Sequence, residues 1–90
     1  MERKFTIYDN EVLIGVVNYH KDLLPKGYDP DKVAGGGMWD SLPEKKEITF
    51  FGQSFDFGPF DREALKRGDY KFSELWQKKL DGWEIRVLDN

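Results

Sequence analysis

Apolar and polar positions near the start of the chain follow the period of an extended backbone. Phe5 and Ile7 are separated by hydrophilic or amphipathic neighbours, so Arg3 to Tyr8 is expected to be a strand, with Asp9-Asn10 placed to turn it. From Val12 to His20 the pattern is richer: Val12, Ile14 and Val16 share one parity, and Leu13, Val17 and Tyr19 the other. A strand with apolar groups on both faces belongs in a sheet interior or under cover on both sides. Gly15 within it admits a bulge or close packing. The two segments are expected to pair as a hairpin across Asp9-Asn10 and its neighbour.

Residues 21–37 interrupt this regularity with Pro25, Gly27, Asp29-Pro30-Asp31 and the triplet Gly35-Gly36-Gly37, while Leu23 and Leu24 offer anchors to the core. So long a connection is unusual in a small domain, which predicts either a functional loop or a hidden helical turn. Met38 to Asp40 reads as the entry to a strand, Ser41 to Lys45 as a turn, and Glu47 to Phe55 as a strand carrying aromatic groups on both faces. Gly58-Pro59 closes that region. Asp61 then stands where a helix N-cap belongs, Phe60 and Leu65 where a hydrophobic staple would close, and Gly68 where the helix would stop after Arg67. A second helix is predicted over Ser73 to Leu80, with Trp76 and Leu80 on one stripe, Lys78 and Lys79 outside, and Gly82 just beyond. Trp83, Ile85 and Val87 alternate with Glu84 and Arg86, the pattern of a strand buried on one face. The order is β-β-long loop-β-β-α-α-β. It predicts one compact α+β domain over residues 1–90, a small mainly antiparallel sheet of four to five strands with two short helices on one face.

Composition narrows the class. Aromatic residues make up 16% of the chain within an apolar total of 39%, so few but large side chains must do the burying. Charged residues reach 34% with a net charge of −3, the balance of a folded water-exposed domain. Lys66-Arg67, Lys71 and Lys78-Lys79 are interleaved with Asp61, Glu63, Asp69, Glu74 and Asp81, which reads as a solvated face and argues against nucleic-acid binding. One histidine and no cysteine leave no zinc cluster, disulfide or thiol nucleophile, and no metal or cofactor is indicated. Asp29 and Asp31 lack the repeated oxygen donors of a calcium loop. No apolar run approaches the roughly 20 residues of a membrane span, and Val12 to Val17 is too short and interrupted for a signal segment. A cytoplasmic protein without membrane contact is the expectation.

Candidate chemistry gathers at three places. Gly35, Gly36 and Gly37 offer successive backbone N–H groups that can form an anion nest, yet no Gly-Lys-Ser/Thr follows, and a turn or bulge feeding Met38 and Trp39 into the core is the simpler reading. Trp39, Gln53, Ser54 and Asp56 join the triplet as candidate ligand contacts, with Asp56 also suited to tightening the turn before Gly58. Ser54 lacks the Gly-x-Ser-x-Gly setting of an activated nucleophile. The sole histidine, His20, with Asp22 or Asp56 as its carboxylate, is the candidate acid/base pair if there is catalysis at all.

These residues favour a noncatalytic protein-interaction domain, with self-association as one form of it, because rings are abundant and no chemical constellation is complete. Two alternatives stand beside it. One is a small-molecule-binding protein, or a small hydrolase- or isomerase-like enzyme, with its pocket between the triplet and residues 52–60; the other is a structural accessory domain of a larger assembly.

Overall fold

Asp9 and Asn10 both take left-handed backbone, with φ of 51° and 65°. That is the geometry of a two-residue hairpin turn whose twist matches the strands it joins. It connects β1 (Glu2–Tyr8) to β2 (Glu11–Val17), antiparallel, with Phe5 opposite Ile14 and Ile7 opposite Val12. In the computed structural model, which describes residues 1–89, 3-10 turns at His20–Leu23 and Pro30–Lys32 lead to β3 (Val33–Leu42). A third such turn, Pro43–Lys45, leads to β4 (Glu47–Phe51). The chain ends with α1 (Arg62–Arg67), β5 (Lys71–Phe72), α2 (Glu74–Lys79) and β6 (Glu84–Val87). The strands form one sheet in the order β5-β2-β1-β3-β4-β6. Its three central pairings are antiparallel, while the outer pairs β2/β5 and β4/β6 are parallel.

Strand parity divides the two faces. Phe5, Ile7, Val12, Trp39, Ile48 and Phe50 point to the side covered by both helices, where Phe60, Leu65 and Leu80 complete the core. Phe5 anchors it through edge-on contacts with Phe50 and Phe60 at centroid distances of 4.9 and 4.8 Å. The opposite face carries Thr6 and Gly36 at its centre and is covered by the segment between β2 and β3. There the Tyr28 ring stands edge-on between Tyr8 and Phe57.

Helix α1 forms as its end signals predict: Asp61 Oδ1 accepts from the Ala64 N–H at 3.0 Å, Phe60 and Leu65 are buried, and Gly68 ends the helix with φ of 79°. Helix α2 packs Trp76 edge-on against Trp39 at 5.5 Å and leaves Lys78 and Lys79 exposed. No helix among the described residues is long and apolar enough to cross a membrane.

Four local expectations are corrected. The glycine triplet lies inside β3 and makes no turn; the expected bulge is met by a register shift between the pairings of β3 with Thr6 and Tyr8. The strand after Glu47 ends at Phe51, because Gly52 turns left-handed with φ of 70°. β2 ends at Val17, so His20 belongs to a 3-10 turn. Ile85 is 40% exposed in β6, since that strand forms the sheet edge and only Trp83 and Val87 reach the core. The two-residue β5 has too few positions to declare a period.

Candidate functional site

Each glycine of the triplet makes room for a different neighbour. A Cβ on Gly35 would lie 2.0 Å from the Pro59 carbonyl oxygen, and one on Gly37 would lie 2.4 Å from that of Phe51 and 3.0 Å from the Phe5 ring. On the other face, a Cβ on Gly36 would lie 2.5 Å from the Phe5 carbonyl oxygen and 3.2 Å from His20 Cδ2. The triplet thus lets the 52–60 segment cross one side of β3 and the imidazole approach closely on the other. Its side-chain space is filled by the protein itself.

Loop 52–58 is fastened to this floor. The Ser54 N–H donates to the Gly36 carbonyl at 2.9 Å, Gly58 donates back to Ser54 at 2.9 Å, and the Gly36 N–H donates to Gly58 at 3.2 Å. Ser54 is 1% exposed, and its Oγ accepts from the Phe57 N–H at 3.1 Å. Ser54, rather than Asp56, is therefore the residue that tightens this turn. A buried hydroxyl is sustained only by such a bond, and here it fixes the loop that carries Phe55 and Asp56. Phe55 is 99% exposed at the tip. Asp56 and Gln53 are exposed, and neither side chain makes a hydrogen bond or ion pair among the described residues.

His20 is 4% exposed, and its Nε2 lies 2.8 Å from the Gly37 carbonyl oxygen. A carbonyl can only accept, so Nε2 carries the hydrogen and Nδ1 of the neutral ring is an acceptor. Nδ1 has no protein partner among the described residues, yet no side-chain nitrogen there is both sealed and unpartnered. His20 lines a depression of about 430 Å³. Burial pushes the imidazole pKa below its ordinary 6.5, the Gly37 bond opposes this, Lys4 reinforces it, and Asp56 and Glu2 oppose it. The ring is neutral at pH 7.

Asp22 is not the partner of that ring. Its Oδ2 accepts from the Tyr19 N–H at 3.1 Å and caps the 3-10 turn. Asp56, by contrast, lines the same depression as His20, together with Glu2, Lys4, Tyr19 and Phe55. Lys4 Nζ is 3.5 Å from Glu2 Oε1. Trp39 is placed apart: it is buried, and its Nε1 donates to the Gly15 carbonyl at 3.0 Å. The structure thus joins His20, Asp56 and the Ser54 loop, while Trp39 and Asp22 serve packing and capping. Tyr19, Glu2 and Lys4 complete the depression without having drawn attention in the sequence. Their only linear signal is proximity to His20 or alternation along β1, and the contact depends on the sheet.

Larger hollows among the described residues lie beside Met1, Val16 and Trp39, beside Asp9, Asp61 and Tyr70, and beside Tyr8, Leu13 and Leu24, but none of these contains a fully exposed ring. No group of three or more histidine, aspartate or glutamate side chains among the described residues is placed to hold a metal ion. No protein-family model matches the chain, and no curated protein matches its sequence.

Proposed function

We propose that this chain is a noncatalytic interaction domain that holds a segment of another protein against the Phe55 loop. The observation that carries this reading is a phenylalanine 99% exposed on a loop fixed by a buried serine and the β3 backbone. A large ring presented on an ordered loop spares the backbone's ordering cost on being covered and gains about 25 cal/mol for each Å² buried. The adjoining edge of β2 supports the same reading. β5 pairs only with Glu11 and Val12, so Leu13 to Val17 has no outer strand neighbour among the described residues. That stretch carries no charge to discourage strand addition, and Val16 is 51% exposed.

Selection of displayed peptides against the wild-type domain, followed by rebinding to Phe55→Ala, tests this. Retained peptides should lose about 10-fold or more in affinity, as a central aromatic contact requires. Peptides indifferent to the substitution, or none retained, would remove the reading. Light scattering over a range of concentrations separates it from self-association, in which a second copy would cover the same loop.

A second reading has one observation in its favour, the placement of His20 and Asp56 on one depression. A small molecule bound there would meet Nδ1 as a hydrogen-bond or proton acceptor. Thermal shift across metabolite mixtures tests it, since a ligand of the native state raises the midpoint.

A further inference from the structure

We infer that the depression beside His20 is a receptor for an arginine side chain of the bound protein segment, an assignment that rests on the interaction reading and names the partner's chemistry. Three residues of different chemistry line one depression of about 430 Å³: Phe55 with its exposed ring, Asp56 with its carboxylate, and the nearly buried His20, whose Nδ1 is left without a partner among the described residues. Two are hydrogen-bond acceptors without a protein donor among the described residues, and the third is a π face. A flat cation with several N–H donors satisfies all three at once, because a guanidinium stacks on a ring while its edge donates to a carboxylate and an imidazole nitrogen.

The protein's other rings show how readily it uses such contacts. Arg3 lies 5.7 Å from the Trp39 ring, Lys21 5.5 Å from Tyr19, Arg62 4.4 Å from Phe60 and Lys79 4.9 Å from Trp76. Phe55 has no cation of its own among the described residues. Lys4 is the one opposing charge in the depression, and Glu2 at 3.5 Å offsets it. A second copy of this chain is the poorer occupant, since each copy carries a net charge of −3 and would bring another Asp56 toward the first.

The test is a titration of the isotope-labelled domain with Nα-acetyl-L-arginine amide, followed by amide chemical shifts, with Nα-acetyl-L-norleucine amide as the uncharged control. Saturable shifts confined to residues 2–4, 18–20 and 54–57 are expected, weakened about 5-fold or more by Asp56→Asn and by Phe55→Ala, and absent or at least several-fold weaker with norleucine. No saturable shift, equal binding of the norleucine compound, or indifference to Asp56→Asn would overturn the assignment. Neither variant alters a hydrogen-bonded side chain, so both should keep the fold. The titration needs no protein partner, which keeps the two readings separable. Phe55-dependent peptides without arginine would remove this assignment and leave the interaction domain, whereas arginine binding without any Phe55-dependent peptide would remove the protein segment as its source.

Discussion

Replacing Gly36 by alanine should be the most damaging single methyl addition among Gly15, Gly36 and Gly58. The new Cβ would stand 2.5 Å from the Phe5 carbonyl oxygen and 3.1 Å from Thr6 Cα, both backbone atoms of the central strand β1. Carbon-to-oxygen contacts between strands settle at about 3.3 Å or beyond, so β1 and β3 must separate locally by about 0.8 Å. Ladder bonds near 2.9 Å then pass the useful limit of about 3.2 Å. Overpacking costs about 1–3 kcal/mol and each weakened ladder bond about 1 kcal/mol more, which gives about 3–4 kcal/mol. For a 90-residue domain that is a large share of a stability on the order of 5–13 kcal/mol, and the midpoint should fall by about 12–32 °C. Two controls carry the same chemical change. Gly58→Ala meets nothing within 4 Å but has φ of 79°, so it should cost about 1–2 kcal/mol. Gly15→Ala meets only the end of the Leu23 side chain at 2.7 Å, which can rotate away, for about 1 kcal/mol or less. Urea unfolding followed by tryptophan fluorescence ranks the three. If Gly36→Ala loses less than Gly58→Ala, the close packing of β1 on β3 has been misjudged and the reasoning fails.

Three further outcomes are expected. The folded state binds a proton at His20 less readily than the unfolded chain does, because burial holds its pKa below 6.5. Its contribution is therefore fully present above about pH 6.5 and is lost as pH falls through that value toward the folded pKa; chemical denaturation at several pH values should show the decline, and His20→Gln should flatten it. Ser54→Ala removes the acceptor of the Phe57 N–H and should cost about 1–2 kcal/mol, with faster amide exchange confined to residues 54–58. Asp61→Ala removes the cap of α1 for about 1 kcal/mol by urea titration, and Asp61→Asn, which keeps an acceptor, should recover most of it.

Linear order carried much of this fold wherever the cause of structure is local. The Asp9-Asn10 turn, the Asp61 cap with its Phe60 and Leu65 staple, and the Gly68 stop each depend on residues within a few positions of one another, and each forms. The α+β class followed from the same signals, because short periodic segments with clear ends leave few ways to pack one face. His20 and Asp56 were recognisable as titratable groups, and Phe55 as one ring among many.

Tertiary structure alone decided what those groups face. Three glycines in a row pointed to a turn or bulge because glycine frees the backbone; they lie in a strand with a shifted register beside them, and their missing side chains are the useful feature: β1, Pro59 and the imidazole occupy the space. Asp22, two residues from His20, is spent on a cap, whereas Asp56, thirty-six residues away by their numbers, shares its depression. Burial and exposure are properties of the packed sheet, so neither the 4% exposure of His20 nor the 99% exposure of Phe55 is written in their neighbours. The sequence by itself determined the local elements and the stock of chemical groups, through short-range sterics and capping. Only the folding of β3 between β1 and β4 determined which groups meet, because contacts across a sheet depend on register and loop crossing.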